Sequence, residues 1–247
     1  MKNLIRIICL LCLFLLNCSF LFSARTPIDS IHYLTGKDKS KSLLIMLPGR
    51  SEKTDAFIKH GFIQRLKDTG TGFDAVVVDA HLGYYYKENL VVRLYEDIVK
   101  PAKLNGYETI WILGVSMGGL GALWYGKDKG ETINGIIAIA PFVGDKDVID
   151  EIKASGGPAK WTPKEAIAKG DYQRGLWVWL RNYSLENKNL PKLILGYGME
   201  DEFAYGDDLL AQMLPNDRLF TLSGGHDWDT WTRLFDAILN LGKLSSK

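Results

Sequence analysis

Ser116 lies in a pentapeptide whose residue types fit a catalytic nucleophile. The stretch Gly114-Val115-Ser116-Met117-Gly118 follows an apolar run and precedes a helical pattern. A chain that turns from strand to helix within one residue forces unfavourable backbone angles on that residue, and flanking glycines remove the side-chain carbons that would clash. The spacing therefore predicts a strained turn that presents the Ser116 hydroxyl at the end of a strand.

A serine hydroxyl is a weak nucleophile until a base takes its proton, and histidine is the usual base. His226, in the stretch LSGGHDWDTW, lies between the last predicted strand and the last predicted helix. His32 precedes most of the predicted sheet, His60 falls within a predicted helix, and His81 follows a strand and is a candidate for the pocket wall. His226 is therefore the predicted base.

A carboxylate must then orient the imidazole and stabilise its charged form. The stretch GMEDEF follows a predicted strand and offers Glu200, Asp201 and Glu202. Position after the strand favours Asp201, the other two have an ordinary explanation as solvated charges, and Asp227 is too close in sequence to His226. Along the sequence, the serine comes first, then the acid, then the histidine, an order that is typical of one α/β architecture in which strands alternate with helices.

The elements that would position these residues alternate along the chain. Most of the predicted strands are continuous apolar runs, which indicates burial on both faces. They cover residues 42–47, 75–79, 109–115, 133–140, 192–197 and 218–222. Amphipathic helical stretches lie between them, two of which cover residues 54–68 and 88–104. This alternation predicts an α/β fold, with a doubly wound, mostly parallel sheet covered by helices.

One domain over residues 24–247 accounts for this pattern, with one interruption. Residues 141–190 separate two predicted strands by far more chain than a connection needs. We interpret this stretch as a small insertion that caps the active edge of the sheet. Its aromatic side chains, Trp177 among them, are candidates to contact substrate, although such residues also commonly pack a subdomain onto the core.

The first 23 residues have the pattern of an export leader. Lys2 and Arg6 accompany an apolar run that is too short to span a bilayer, which favours a signal peptide over a permanent membrane helix. Two processing sites compete: the stretch FSA ends at Ala24, whereas LLNCS resembles a lipobox in which Cys18 would carry lipid. We expect an exported, periplasmic or cell-surface protein, attached to a membrane only through this leader or a lipid anchor at Cys18.

Composition and charge exclude several other classes of function. The chain has 247 residues and a formal net charge of +1, with no block of like charges that would bind nucleic acid. The three cysteines, Cys9, Cys12 and Cys18, all fall in the leader, so the remainder has no disulfide. No spacing of histidines and carboxylates suggests a metal site, and the chemistry expected of Ser116 needs no cofactor. The oligomeric state is left undefined.

The stretches GVSMGG, GYGMEDEF and SGGHDWDTW resemble the α/β-hydrolase superfamily, and within it the esterase-D-like branch. That branch includes S-formylglutathione hydrolases, feruloyl esterases and enterochelin esterases. The resemblance covers roughly residues 40–241. It implies a carboxylic-ester hydrolase with Ser116 as nucleophile, His226 as base and Asp201 as acid.

Two backbone N–H groups are candidates to bind the developing oxyanion. Met117 begins the predicted helix, where its free N–H and the helix dipole point at the site. Where many relatives have His-Gly after the first core strand, this chain has LPGRSEK at 47–53, and by analogy the N–H of Arg50 would be the second donor. The Arg50 side chain could alternatively face an acidic substrate or be solvated.

The substrate is the least defined part of the prediction. The stretch HLGYYYKEN at 81–89 follows a strand at the active edge and suggests a compact apolar pocket for a small or medium ester. The candidates for its wall are His81, Tyr84, Tyr85, Trp177 and Trp228. Thioester cleavage and acyl transfer by the same triad stay open. A non-catalytic exported binding domain is the alternative from another class, and the three intact catalytic residue types argue against it.

Overall fold

A seven-stranded sheet forms the centre of the described structure. The computed structural model describes residues 24–185, 189–240 and 242. The strands are β1 Ser30–Tyr33, β2 Ser42–Leu47, β3 Phe73–Val78, β4 Thr109–Val115, β5 Gly135–Ile139, β6 Lys192–Gly198 and β7 Leu219–Leu222. They are arranged in the order β1-β3-β2-β4-β5-β6-β7. All neighbours are parallel except β1 and β3, so the sheet is mostly parallel, as the sequence predicts.

Helices cover both faces of this sheet. They are α1 Ala56–Lys59, α2 Phe62–Asp68, α3 Leu82–Tyr86, α4 Leu90–Arg93, α5 Lys100–Leu104, α6 Met117–Lys129, α7 Lys146–Ala154, α8 Tyr172–Leu180, α9 Ala204–Ala211 and α10 Trp228–Asn240. A π-helical segment, Leu94–Val99, joins α4 to α5. Helices α1, α2 and α10 pack on one face with one apolar core, and α3, α4 and α6 to α9 pack on the other face with a second core. The fold is therefore doubly wound.

The six strands predicted from apolar runs are all present, with small shifts at their ends. Every residue of β3, β4 and β5 is buried, which explains why these runs contain no polar alternation. The seventh strand, β1, is not among the predicted strands. It is short and half-exposed, and it pairs antiparallel with β3 at the edge of the sheet.

Two predicted helices are interrupted in the structure. The helix expected from Thr54 to Asp68 is split into α1 and α2 by Gly61, whose φ of 73° is left-handed. The helix expected from Glu88 to Leu104 contains the π-helical segment in its middle. Both interruptions lie on connections between strands and leave the order of the strands unchanged.

The stretch interpreted as an insertion, 141–190, holds α7, α8 and a 3₁₀ turn at Arg181–Leu185. The leader interpretation and its processing sites concern residues outside the described part of the chain, so export and lipid attachment stay predictions. Across residues 24–185 and 189–240, no helix combines the length and the apolar character needed to cross a bilayer.

Candidate active site

Ser116 occupies the turn between β4 and α6 with strained backbone angles. Its φ of 55° and ψ of −117° lie far from the regions that side chains normally allow. The chain can adopt this turn because glycines lie on both sides of Ser116, where the surrounding backbone leaves no room for a side chain. A Cβ at Gly114 would overlap the carbonyl of Gly118, and one at Gly118 would overlap the carbonyl of Leu47. This crowding is the physical reason for the Gly-x-Ser-x-Gly spacing.

Ser116, His226 and Asp201 form a continuous chain of hydrogen bonds. The Ser116 Oγ is 2.8 Å from His226 Nε2, and His226 Nδ1 is 2.8 Å from Asp201 Oδ2. The three residues follow β4, β7 and β6, so parallel strands deliver them to the same edge of the sheet. Ser116 is 8% exposed, which leaves it reachable from the cavity beside it.

Burial and two hydrogen bonds hold the carboxylate of Asp201. Its side chain is fully shielded from solvent, and its Oδ1 accepts a hydrogen bond of 2.8 Å from the Phe203 N–H. Its Oδ2 then accepts from His226 Nδ1 if the ring carries a proton there, which leaves Nε2 free to take the Ser116 proton. The rings of Phe203 and Trp231 each lie 4.9 Å from the His226 ring, edge to face. The imidazole is thus fixed on several sides.

The competing carboxylates have other partners. Glu200 accepts hydrogen bonds from the Gly224 N–H and the Ser223 hydroxyl, and these bonds lower its pKa. Asp227 accepts from the Thr230 N–H at the start of α10, which lowers the pKa of Asp227. Glu202 is exposed at the wall of the cavity. Glu200 is therefore not a simple solvated charge: it ties the loop after β6 to the loop after β7.

The other histidines lie away from Ser116. His60 stacks on Trp228 with ring centroids 4.2 Å apart, and His32 lies on β1, where burial lowers its pKa. His81 caps α3 by accepting a hydrogen bond from the Gly83 N–H at its Nδ1. Only His226, among the described histidines, contacts the serine hydroxyl.

The two candidate oxyanion donors flank Ser116. Met117 is the first residue of α6, a position whose N–H has no partner within a helix. The turn after β2 brings Gly49 against the serine, since a Cβ at Gly49 would lie 3.6 Å from the Ser116 Cβ. Arg50 follows it, exposed and lining the cavity. The Tyr85 hydroxyl donates to the Met117 carbonyl at 3.0 Å, and burial raises the pKa of Tyr85, which keeps this donor neutral.

A cavity of about 1360 Å³ opens onto Ser116 and His226. Around the catalytic end it is lined by the turn after β2, by Met117, and by three aromatic side chains. These aromatic residues are Phe142, Phe203 and Trp231. From there the cavity continues between α6, the α3–α4 region and part of the 141–190 stretch. Its wall combines apolar and aromatic side chains with charged side chains of both signs.

Of the five side chains predicted to line a pocket, only Tyr85 lines this cavity in the described structure, and the other four predictions are wrong. Tyr84 is buried and exchanges hydrogen bonds with the backbone of Arg25. His81 is engaged in capping α3. Trp177 points into the core, where its Nε1 donates to the Val143 carbonyl at 2.8 Å.

Trp228, the fourth misplaced candidate, begins α10 on the far side of the histidine loop. Its ring packs against Phe57 and Phe62, and its Nε1 donates to Glu52 Oε1 at 3.1 Å. The neighbouring Trp231, one helical turn along, reaches the cavity instead. The prediction chose Trp228 because sequence spacing alone does not define how α10 is rotated about its own axis.

Several wall residues have no signal of their own in the sequence. Phe142 follows β5 and Phe203 follows Asp201 by two residues, so both lie on loops at the active edge. Trp124 lies inside α6, and Tyr172 begins α8 in the 141–190 stretch. Position after a strand could have identified the first two, whereas the last two depend on how helices pack.

Asp207 is a buried acid close to Asp201. It is 0% exposed, and neither of its carboxyl oxygens has a hydrogen-bond partner in the described part of the chain. Burial, together with the negative charges of Asp201 and Asp208, raises the pKa of Asp207 well above its ordinary value. Burial therefore favours the neutral, protonated form of Asp207.

The described residues contain no group of three or more histidine, cysteine or acidic side chains that could hold a metal ion. A hydroxyl, a base and a buried carboxylate in this arrangement can attack a carbonyl carbon and transfer an acyl group.

Comparison with known proteins agrees with this chemistry. The sequence profile of a family described as "Putative esterase" matches residues 67–241, well over half of the chain. No curated protein sequence matches the chain.

Several solved structures are similar in fold at low sequence identity. An S-formylglutathione hydrolase (FrmB) from Staphylococcus aureus is 14% identical over 85% of this chain and 84% of its own, with a TM-score of 0.57. Est1E from Butyrivibrio proteoclasticus is 17% identical over 88% and 96%, with a TM-score of 0.59. A monoacylglycerol lipase from Paleococcus ferrophilus is 17% identical over 88% and 99%, with a TM-score of 0.57. These likenesses show an α/β-hydrolase fold.

Proposed function

Because the chain belongs to this esterase family, it is a carboxylesterase-type hydrolase, and we propose that Ser116, His226 and Asp201 are its catalytic triad. The observation that carries the proposal is the continuous hydrogen-bond chain from the serine hydroxyl through the imidazole to the buried carboxylate. The proposed substrate is a small or medium-sized carboxylic ester.

The first step acylates the enzyme. Ser116 Oγ attacks the ester carbonyl carbon while its proton passes to His226 Nε2, and Asp201 stabilises the resulting imidazolium through Nδ1. The carbonyl oxygen becomes an oxyanion, which the backbone N–H groups of Met117 and Arg50 are placed to bind. When the tetrahedral intermediate collapses, the bond to the alcohol breaks, and the alcohol leaves with the proton from His226.

The second step releases the acid. Water gives a proton to His226 and attacks the acyl carbon, and collapse of this second intermediate returns the proton to Ser116. Asp201 holds the imidazole in place through the bond to Nδ1, and the Phe203 N–H in turn holds its carboxylate.

The test is hydrolysis of p-nitrophenyl acetate by the protein and its Ser116→Ala variant. We expect the variant to lose kcat by about 10⁴-fold or more, because the residues of a triad act as a unit. Ser184→Ala is the matched control, since Ser184 is exposed and its hydroxyl donates to the Arg181 carbonyl. A fluorophosphonate probe should label the parent protein and this control, and leave Ser116→Ala unlabelled.

Equal hydrolysis by the parent protein and Ser116→Ala would contradict the triad. Should neither hydrolyse the ester nor accept the probe, the alternative of a non-catalytic binding domain would replace it.

A further inference from the structure

We propose that the cavity is an elongated subsite for an unbranched apolar chain of the ester, lying along α6 and leading away from Ser116. This inference rests on the proposed function, because the triad defines the end of the cavity at which the ester is cleaved. It differs from the compact pocket that the sequence suggests.

The direction of the cavity follows from the residues of α6 that line it. Met117, Leu120, Trp124 and Lys127 follow one another at intervals of three, four and three residues, which places them on one face of the helix. With a rise of 1.5 Å per residue, the lined face is roughly 15 Å long. Ser116 lies at its start, so the cavity runs from the nucleophile along the helix.

Two walls enclose this face of α6. One comes from the α3–α4 region, with Tyr85 and Leu90, and the other comes from the 141–190 stretch, with Tyr172. The Trp124 ring bridges them, because it lies 5.7 Å from the Tyr85 ring and 5.0 Å from the Tyr172 ring. Apolar and aromatic side chains therefore line the middle of the cavity.

Large apolar side chains are also exposed along the rim of the cavity. Tyr86 is 76% exposed, Val92 50%, Tyr172 43% and Ile167 37%, and all four line the cavity. Single exposed hydrophobic residues are ordinary on a protein surface, but a group of them around one cavity indicates contact with an apolar ligand.

Charge at the far end does not favour a charged ligand. Lys127 pairs with the adjacent Asp128 at 2.7 Å, and Asp171 pairs with Arg174 at 2.9 Å. The same lining also holds Lys129 and Lys169 together with Glu88 and Asp145, so charged side chains of both signs are mixed there and neither sign dominates. An unbranched apolar chain fits this distribution better than a substrate with a charged tail.

Gly175 offers a way to close the cavity without disturbing the core. It lies on α8, lines the cavity, and an added Cβ would meet nothing within 4 Å. A larger side chain can therefore extend from this position into the space that the chain of the ester would occupy. A helix interior also tolerates alanine, leucine or tryptophan better than glycine.

The experiment compares Gly175→Ala, Gly175→Leu and Gly175→Trp with the parent protein. Two series of esters test the two possible positions of the chain: p-nitrophenyl esters from acetate to dodecanoate, and acetates of alcohols from ethanol to dodecanol. In the parent protein we expect kcat/KM to rise with chain length in at least one series. Leu and Trp should lower kcat/KM for the longest ester of that series by about tenfold or more. Ala should change it little, and in all three variants kcat/KM for p-nitrophenyl acetate should fall much less than kcat/KM for the longest ester.

A second variant tests the subsite independently, in case the substitutions at Gly175 impair folding. Val92→Ser changes an exposed rim side chain, so it should lower kcat/KM for the longest ester with an unchanged melting temperature. Leu104→Ser is the matched control, because Leu104 is 82% exposed and does not line the cavity.

If kcat/KM does not change with chain length in either series, the elongated subsite is overturned. The same holds if the Gly175 and Val92 variants lose kcat/KM equally on short and long esters. Neither outcome concerns the triad, which fails if Ser116→Ala is as active as the parent protein, or if neither protein hydrolyses p-nitrophenyl acetate or accepts the fluorophosphonate probe. The two proposals can therefore fail separately.

Discussion

At the scale of single residues, substitutions of Arg50 distinguish a role of its backbone N–H from a role of its guanidinium. The Glu52 N–H donates to the Gly49 carbonyl at 3.2 Å, which closes a turn with Arg50 and Ser51 at its centre. Ser51 has a φ of 65°, the sign that the third residue of a type II turn requires. Proline is common at the second position of such a turn, so the turn accepts proline in place of Arg50.

Arg50→Pro should therefore remove one N–H while the turn keeps its shape. If that N–H binds the oxyanion, kcat on p-nitrophenyl acetate should fall by about 10²- to 10³-fold. Arg50→Ala keeps the N–H and should retain most of the activity. A loss of the same size in both variants would show instead that the guanidinium contributes, and unchanged activity in Arg50→Pro would exclude the backbone donor.

Asp207 makes the stability of the protein depend on pH. Its raised pKa means that the folded protein keeps a proton which the unfolded chain has already lost, so stability falls as pH rises from about 4 towards the folded-state pKa. The acids Asp201 and Asp208 and the phenols of Tyr197 and Tyr205 lie close enough to Asp207 to interact with its charge.

Asp207→Asn removes this titration with little change in shape. We expect its melting temperature to exceed that of the parent protein by a margin that grows with pH above about 4 and is absent at lower pH. Asp147→Asn, at an exposed position on α7, is the control. If the melting temperatures of Asp207→Asn and the parent protein differ by the same amount at every pH, Asp207 does not carry the proton.

At the scale of elements, two loops must keep their register for the triad to form. The loop after β6 carries Asp201, and the loop after β7 carries His226. Glu200 joins them, because its carboxylate accepts from Ser223 and Gly224 while its own N–H donates to the Gly224 carbonyl at 3.0 Å. The distance between base and acid therefore depends on a second carboxylate, that of Glu200, which lies outside the triad.

Glu200→Gln should lower kcat several-fold with little change in KM, because it loosens the placement of His226 and leaves the cavity unchanged. The lowered pKa of Glu200 means that its bonds stabilise the folded state above the ordinary carboxylate range and are lost as pH falls through the folded-state pKa. The difference in melting temperature between variant and parent should accordingly disappear between about pH 5 and pH 3. Glu202→Gln, one exposed acid further along, should show no such convergence.

Elements with a strong apolar pattern were predictable, and those defined by tertiary contacts were not. The buried strands β3, β4 and β5 are visible as apolar runs because both of their faces are covered. Strand β1 pairs only with β3 at the exposed edge, and its residues show no such run. In the site, positions after strands identified the residues that form the hydrogen-bond chain, whereas the inward rotation of Trp177 is defined by packing that no local pattern encodes.

At the scale of the whole molecule, the sheet has different roles at the two ends of its parallel strands. The carboxyl ends of these strands form the edge that carries Ser116, Asp201 and His226. The strands begin at the opposite edge, where Phe73 opens β3 beside Ser42 of β2. A six-residue strand is about 20 Å long, so the side chains at the starting edge are remote from the catalytic residues. The core can therefore be weakened there without moving the site.

Phe73→Ala should demonstrate this separation. Phe73 is 1% exposed within the core that α1, α2 and α10 cover, and truncating such a side chain costs about 3–5 kcal/mol. For a domain of this size each kcal/mol lowers the melting temperature by about 2–4 °C, so we expect a fall of roughly 6–20 °C. At 25 °C, the kcat/KM of the folded fraction should stay close to that of the parent protein, because the cavity and the triad are unchanged. Leu104→Ala, at an exposed position, should alter neither quantity. A Phe73→Ala protein that melts normally would contradict the burial argument, and one that is fully folded but inactive would show that the two edges are coupled.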